Sequence, residues 1–229
     1  EPGNSHAPHH ASNDWIARFK GQFDPGWDKV REETLVRQKK LGVVQRDTML
    51  TPRPNEIPAW DTLSPDQKKV YARMMEVYAA ATAQSDHEIG RILDALQKSG
   101  QLDNTLVIYL EGDNGASAEG GPTGSVNENK FFNNVPDDLK QNLAALDDLG
   151  GPQFFNHYPW GWTFAGNTPF RRWKRETYRG GVSDPFIVHW PKGIKEKGGI
   201  RHQYAHAIDM VPTVLDVLGI EPPAQIRGV

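Results

Sequence analysis

The chain has 229 residues, contains no cysteine and carries a formal net charge of −3. Because nucleic-acid binding needs a basic face, this charge gives no support to that class of partner. The missing cysteine excludes disulfides and thiolate metal sites, and no apolar run reaches the roughly 18 residues that a membrane-spanning helix needs. Hydrophobic residues make up 37% of the chain, which is enough for a large folded core.

The first predicted elements are two helices with an irregular segment between them. Apolar residues in the charged stretch 26–41 have the spacing of a surface helix. Three prolines in residues 43–63 favour irregular structure. Ser64 and Gln67 then form a capping box with proline at the first helical position. Apolar residues continue at helical spacing, which predicts a long amphipathic helix over 64–100.

A short apolar run over residues 105–110 follows this helix. Such a run is typical of a strand that is buried on both faces of a parallel sheet. A helix, a short turn and a buried strand form the repeating unit of doubly wound α/β proteins. The sequence therefore predicts an α/β fold.

Asp113 and Asn114 come directly after the predicted strand, between two glycines. Ligands of open α/β sheets bind beyond the carboxyl ends of the strands, and hard cations such as Ca²⁺ take carboxylate and amide oxygens. The alternative is a plain turn, because Asp, Asn and Gly all favour turns. From the residues alone, both interpretations remain open.

The second half of the chain is predicted to contain one more strand. Residues 117–134 are rich in glycine, asparagine and serine and favour a long loop, whereas residues 136–149 can form a helix. The apolar run 186–190 is typical of a strand. Asp209 then caps a final apolar helix that ends at Gly219.

Histidines occur in two groups. His6, His9 and His10 lie close enough in sequence to suggest a metal site. Because the neighbours His9 and His10 cannot easily point at one ion from a regular element, exposed loop histidines are the favoured interpretation. His202 and His206 have helical spacing, but no acidic residue stands where a zinc-protease motif needs one, so we interpret them as structural or surface residues.

Lys174 lies in a run with four cations in five residues, 171–175. Such a run can bind an anionic group, since arginine suits the geometry of sulfate and phosphate. A solvated basic face is the alternative. Gly180 and Gly181, just downstream, allow a tight turn or a close approach of the backbone. The aromatic stretch 154–162 is suited either to stacking on sugar or aryl groups or to packing against the core.

Five segments resemble, in order and spacing, the type I sulfatases of the alkaline-phosphatase-like superfamily, and bacterial arylsulfatases most closely. One such segment carries little specificity, whereas five in order along nearly the whole chain are strong. The segments are His6-Ala7-Pro8-His9, residues 98–105, Gly112-Asp113-Asn114-Gly115, Lys174 with Gly180-Gly181-Val182, and residues 209–215.

This resemblance implies an alkaline-phosphatase-like α/β fold with a mostly parallel sheet flanked by helices. Residues 1–229 would form the middle and later part of one sulfatase catalytic domain, without its N-terminal part and without the C-terminal subdomain. We therefore expect the fold within this chain to be incomplete.

The resemblance also implies roles for four residues. Asp113 and Asn114 would be two ligands of one active-site Ca²⁺, His9 would contact the substrate oxygens, and Lys174 would bind the sulfate and stabilise the leaving oxygen. These roles suit the chemistry, because transfer of an SO₃ group develops negative charge that a divalent ion and fixed cations stabilise.

The chain departs from the family pattern in two respects. Ser183 occupies the place where the family usually has arginine after Gly-Gly-Ile/Val. The Cys/Ser-x-Pro-x-Arg motif, from which sulfatases make their formylglycine nucleophile, is missing. The Asp-Asp pair that completes the metal shell near the N-terminus of family members is missing too. The resemblance implies that both lie upstream of Glu1. We therefore expect the chain by itself to be inactive and to bind Ca²⁺ weakly.

The activity implied is hydrolysis of a small-molecule or carbohydrate sulfate ester by an arylsulfatase-type enzyme, with a periplasmic or secreted location. One alternative is a phosphate or phosphonate monoester hydrolase of the same superfamily, and another is a non-catalytic pseudoenzyme or carbohydrate-binding protein. The upstream nucleophile and metal set would separate the two hydrolases. The joint presence of His9, Asp113, Asn114 and Lys174 argues against the pseudoenzyme, since together they serve no evident packing purpose.

Overall fold

A computed structural model describes residues 6–225 of the chain. The chain divides into two compact units between residues 195 and 196. The regular elements, in chain order, are α1 (Asn13–Ala17), α2 (Gly26–Leu41), a 3₁₀ turn (Trp60–Thr62), α3 (Pro65–Lys98), a 3₁₀ turn (Leu102–Asn104), β1 (Val107–Leu110), α4 (Asn129–Phe132), α5 (Leu139–Ala144), α6 (Trp160–Gly166), α7 (Arg179–Val182), β2 (Phe186–His189), a 3₁₀ turn (Ala207–Asp209) and α8 (Met210–Leu218).

The two helices predicted first are confirmed at nearly the expected bounds. Helix α2 ends at Gly42, whose φ of 79° is a left-handed conformation that glycine adopts without strain. Helix α3 begins with the predicted capping box. Its two hydrogen bonds run from the Gln67 N–H to the Ser64 hydroxyl (3.2 Å) and from the Ser64 N–H to the Gln67 side chain (2.9 Å).

The core of the first unit lies along the N-terminal half of α3, where Val70, Met74 and Val77 are fully buried. Helix α2 packs on α6, and the two helices bring Trp27 and Trp162 together with ring centroids 5.8 Å apart. The buried indole N–H groups find acceptors, since Trp27 donates to the Pro58 carbonyl and Trp162 to the Tyr71 carbonyl. Aromatic packing therefore fixes the position of α6, just upstream of the segment that carries Lys174.

Arg31 is buried on α2 and joins that helix to the segment after α6. Its guanidinium lies 3.7 Å from the centre of the Phe164 ring. Burial lowers the pKa of Arg31 to about 10. Its two terminal nitrogens donate to the carbonyl oxygens of Phe164, Pro169 and Phe170 and to the hydroxyls of Thr51 and Thr168. Arg31 therefore supplies donors to carbonyls that apolar packing would not pair, above all those of Phe164 and Phe170.

The strand prediction is correct in position but not in surroundings. Strands β1 and β2 pair antiparallel, with Val107 opposite His189 and Leu110 opposite Phe186. The expected parallel pairing is not found between these two strands, and β1 is half-buried rather than buried on both faces. Within residues 6–225 each strand has one neighbour, so β2 stays exposed along its length. The larger parallel sheet flanked by helices remains a prediction.

The region predicted as a long loop is mostly irregular, with the short helix α4 inside it. The helix predicted over 136–149 is shorter, because turns follow α5 as far as the glycines at 150 and 151. The aromatic stretch is packed rather than offered to a ligand, since Tyr158 and Trp162 are buried and Trp160 is half-buried.

In the second unit, α8 begins after Asp209 at the predicted position and is followed by Gly219. The Asp209 side chain does not cap α8, however, because its carboxylate accepts from the His206 N–H in the preceding 3₁₀ turn. The predicted structural or surface role of His202 and His206 fits their exposure. A membrane crossing is not supported anywhere in the described range, where every helix is too short or too polar to span a bilayer.

Candidate active site

Asp113 and Asn114 lie in the loop that leaves β1, as the sequence predicts. The Asn114 amide donates to the Asp113 carboxylate at 2.5 Å, and the Asp113 side chain is exposed. The next residue, Gly115, packs directly on the Gly180-Gly181 turn, and its N–H donates to the Gly181 carbonyl at 3.0 Å. Two of the sulfatase-like segments are therefore in contact.

Lys174 is joined to the same loop through the backbone. Its N–H donates to the carbonyl of Ala116 at 3.1 Å. The buried side chain of Asn167 binds both segments, since its oxygen accepts from the Ala116 N–H and its amide donates to the Arg172 carbonyl, each at 3.0 Å. The structure therefore brings together the segments that hold Asp113, Asn114 and Lys174.

Beyond this loop lies a group of buried polar side chains that sequence reasoning did not assign to the site. We call it the Glu119 cluster, and it consists of Ser117, Glu119, Glu128 and His157 together with the half-exposed His6 and Lys174. Glu119 lies at its centre. One carboxylate oxygen is 3.8 Å from Lys174 Nζ, and the other is 3.6 Å from His6 Nε2.

The charges in the cluster shift one another's pKa. The Glu119 carboxylate outweighs the effect of burial and, with Glu128, raises the pKa of His6 above its ordinary value. Burial by itself would raise the pKa of Glu119, but hydrogen bonds with His6 and Ser117 and the charge of Lys174 lower it overall. Burial raises the pKa of Glu128. An ionised Glu119 beside a protonated His6 is the state that these shifts favour.

His157 has a defined tautomer. Its Nδ1 lies 2.9 Å from the Tyr158 carbonyl, which can only accept, so Nδ1 carries the hydrogen. Burial lowers the pKa of His157 to about 4, so the ring is neutral at pH 7 and Nε2 is an acceptor. Ser117 Oγ lies 2.7 Å from that Nε2 and also contacts Glu119. The single hydroxyl hydrogen of Ser117 therefore has two competing acceptors.

His9, which the resemblance places near the substrate, lies in the core. It is 1% exposed, its ring stacks on Tyr158 with centroids 5.1 Å apart, and burial lowers its pKa well below the ordinary value. The histidine that shares Glu119 with Lys174 is His6. The geometry therefore places His6 beside Lys174 and partly open to solvent, and places His9 in the core.

Acid should destabilise the protein through its buried neutral histidines. The unfolded chain takes up a proton at the ordinary histidine pKa of 6.5, whereas folded His157 takes one up only near a pKa of about 4. Lowering the pH through this window therefore favours the unfolded state, and His157 alone should lower the free energy of unfolding by roughly 3 kcal/mol. His9 contributes in the same direction.

Denaturant unfolding at a series of pH values measures this effect. The variant His157→Gln should flatten the dependence of stability on pH between 4 and 6.5, whereas His202→Gln, at an exposed histidine, should leave it unchanged. Equal slopes in the wild type and in His157→Gln would contradict a neutral buried His157.

The donors at Asp113 and Asn114 fit a hard cation in type but not in number. Carboxylate and amide oxygens are the ligands that Ca²⁺ prefers, and it takes roughly six to eight of them. The Asp184 carboxylate is nearby, since it lies 3.6 Å from the position of a Cβ added at Gly112. Burial and the charge of Asp113 together raise the pKa of Asp184 to about 6. No group of three or more His, Asp or Glu in the part of the chain that the structure describes is placed to hold a metal. Asp113 and Asn114 can therefore supply only part of a metal shell.

The other cations of the basic run have partners of their own. Arg172 pairs with Glu56, Arg171 lies over the Tyr178 ring at 4.2 Å, and Arg175 lies 5.5 Å from the centre of the Phe131 ring. Lys174 alone of the four is directed at the Glu119 cluster. The run is therefore not a continuous basic face.

One signal in the sequence could have indicated Glu119. It stands in a run of small residues, 115–121, directly after the Asp-Asn pair. Small side chains let a loop pack closely, so a carboxylate among them becomes buried and needs charged partners. His157 and Glu128 gave no comparable signal, because their partners in the cluster lie far from them in the sequence.

Comparisons with known proteins identify the family. A family model of sulfatases matches residues 2–220. An arylsulfatase of Klebsiella aerogenes is 33% identical over 218 residues, which are 95% of this chain and 45% of that protein. An uncharacterized sulfatase of Schizosaccharomyces pombe is 32% identical over 219 residues, 95% of this chain and 38% of that protein. An N-acetylglucosamine-6-O-sulfatase of Bacteroides thetaiotaomicron is 28% identical over 158 residues, 69% of this chain and 19% of that protein.

The chain spans less than half the length of these relatives. The likeness nevertheless extends over nearly all of the chain itself, from the His6 segment to the final helix. It includes each of the segments that the structure gathers around Glu119. The chain belongs to the sulfatase family.

Proposed function

We propose that the complete gene product containing this chain is an arylsulfatase-type enzyme that hydrolyses sulfate monoesters. The observation that carries this proposal is the placement of two cations, His6 and Lys174, on opposite oxygens of one buried carboxylate. A pair of fixed cations beside a loop with oxygen ligands is suited to an anionic ester. The names of the relatives support a sulfate ester in particular.

Each residue has a role in this proposal. The Lys174 ammonium binds the sulfate and stabilises negative charge on the leaving oxygen, and the His6 imidazolium donates a hydrogen bond to a sulfate or leaving-group oxygen. Asp113 and Asn114 would hold Ca²⁺. When bound, Ca²⁺ and formylglycine supply charge neutralisation and the nucleophile, respectively. The role predicted for His9 is transferred to His6, because His9 is enclosed by Tyr78 and Tyr158.

The finer expectations remain part of the proposal. Residues 1–229 correspond to the middle and later part of a sulfatase catalytic domain, and the formylglycine and further metal ligands come from outside it. The protein acts in the periplasm or outside the cell, on a small-molecule or carbohydrate sulfate ester. A phosphate or phosphonate ester hydrolase and a pseudoenzyme are the alternatives, and neither gains support from the names of the relatives.

Lys174→Met tests the proposal. With p-nitrophenyl sulfate as substrate, we expect the variant of the complete gene product to lose roughly 100-fold or more in kcat/KM, because charge on the sulfate loses its fixed partner. Lys192→Met, at an exposed lysine after β2, should retain wild-type activity. The 229-residue chain by itself should show no turnover, because it contains no Cys/Ser-x-Pro-x-Arg motif. Wild-type activity in Lys174→Met would contradict the role of Lys174.

A further inference from the structure

The Glu119 carboxylate is covered by the two cations that the proposed function assigns to the substrate. Glu119 is 3% exposed, whereas the Lys174 and His6 side chains are 27% and 39% exposed. The cations are therefore accessible from solvent and the carboxylate between them is not. A sulfate that reached this site would therefore meet the two cations first. An exposed carboxylate would repel the sulfate, but Glu119 lies behind the cations.

The carboxylate is itself held by its own loop. One oxygen accepts a hydrogen bond from the Ala118 N–H at 3.1 Å, and the Ser117 hydroxyl, for whose hydrogen His157 competes, contacts that same oxygen. The same oxygen faces His6, and the second oxygen faces Lys174. A carboxylate that its own loop holds at one oxygen is a more rigid support than Lys174, whose long flexible stem loses conformational entropy when it is ordered.

The charges around Glu119 also require a carboxylate at this place. His6 and Lys174 are both positive when they bind an anion, and Lys174 lowers the pKa of His6. Glu119 opposes this repulsion and has the largest influence on the pKa of His6, while Glu128, 3.7 Å from His6 Nδ1, acts in the same direction. His157, His9 and Tyr158 are further titratable groups beside the cluster. Burial lowers the pKa of both histidines and raises the pKa of Tyr158, so all three are neutral at pH 7.

We propose that Glu119 is a positioning residue, which joins His6 and Lys174 through its two oxygens and holds both cations towards one sulfate group. Glu119 does not contact the substrate in this arrangement and acts through its two partners. The inference rests on the proposed function, since that function names the anion. Its geometric part, the carboxylate bridge between His6 and Lys174, can be tested without activity.

The first test is the titration of the His6 imidazole, followed by nuclear magnetic resonance in the 229-residue chain at low salt. Replacing Glu119 by glutamine keeps the shape but removes the charge, so the pKa of His6 should fall. Glu119→Asp should restore part of the shift because the charge is kept. Glu76→Gln, at a buried glutamate of α3 that binds Arg73 and the Gly21 N–H, should leave His6 unchanged. An unchanged His6 titration in Glu119→Gln would overturn the bridge.

The second variant protects the test against misfolding of Glu119→Gln. Lys174→Met removes a half-exposed cation and should raise the pKa of His6 further, because the repulsion is lost while Glu119 remains. An unchanged pKa of His6 in this variant would show that Lys174 and His6 do not share Glu119, and it would also overturn the inference.

Kinetics of the complete gene product complete the design. In Glu119→Gln, kcat/KM for p-nitrophenyl sulfate should fall roughly tenfold or more, and its decline at high pH should begin at lower pH, because His6 loses its proton earlier. Glu119→Asp should recover part of both losses. A lower rate with an unshifted pH profile would reduce Glu119 to a structural role. If the His6 titration shifts as expected but the wild type hydrolyses no sulfate ester, the bridge stands and the proposed function fails.

Discussion

Replacing Arg31 by methionine is expected to lower the free energy of unfolding by about 3 to 5 kcal/mol. The guanidinium is buried, and its five hydrogen bonds go to acceptors of other residues, which the substitution does not remove. Methionine has a similar length and relieves the cost of burying a charge. It removes the Arg31 donor from the Phe164 and Phe170 carbonyls, and an unsatisfied buried acceptor costs more than a hydrogen bond contributes. The Pro169 carbonyl is less affected, because Thr51 also donates to it.

Denaturant unfolding measures this loss, and the same helix offers the control. Arg37 lies on α2 too, but it is exposed, so Arg37→Met should change the stability by less than about 0.5 kcal/mol. The loss of stability in Arg31→Lys should lie between those of the two methionine variants, because one ammonium can donate to only some of the acceptors. Equal stability of Arg31→Met and Arg37→Met would contradict the role of Arg31 in fixing the segment after α6.

Gly115→Ala is expected to cost about 3 kcal/mol or more and to displace Asp113 and Asn114. A Cβ at residue 115 would lie 1.7 Å from the Gly180 carbonyl oxygen and 2.7 Å from its carbon. Both are backbone atoms, so no side chain can rotate away to make room. The loop must separate from the Gly180-Gly181 turn, and the hydrogen bond from the Gly115 N–H to the Gly181 carbonyl is then lost.

The matched control is Gly90→Ala in the middle of α3. A Cβ at residue 90 meets no atom within 4 Å, and alanine is the better helix former, so this variant should gain roughly 0.5 to 1 kcal/mol. Denaturant unfolding of both variants gives the comparison. A Gly115→Ala variant as stable as the wild type would show that the loop after β1 does not pack on the glycine turn as described.

Local signals in the sequence were enough for the helices. The capping box at Ser64 and Gln67 and the spacing of apolar residues depend on neighbours within one or two turns, so they predict α3 to within two residues. The run at β1 indicated a strand for the same reason. An apolar run does not determine which strand pairs with it, so the antiparallel pairing with β2 could not be predicted from the run.

The candidate site divides in the same way. Asp113, Asn114 and Lys174 stand in short motifs, through which the resemblance to sulfatases predicts their roles, and the structure brings the loops that hold them into contact. His6 and His9 are three residues apart and look alike in sequence, yet one is half-exposed beside Glu119 and the other is enclosed by aromatic rings. Only the three-dimensional packing of residues 154–162 against this segment separates them, and no local pattern contains it.

The proposed hydrolysis of sulfate esters is tested most directly by comparing two esters of the same phenol. The complete gene product containing this chain should be assayed with p-nitrophenyl sulfate and with p-nitrophenyl phosphate under identical conditions. We expect a kcat/KM that is higher for the sulfate by at least roughly tenfold, with the sulfate activity lost in Lys174→Met. Faster hydrolysis of the phosphate would move the protein to the phosphate ester hydrolases, and hydrolysis of neither ester would contradict a catalytic role for His6 and Lys174 in arylsulfate cleavage.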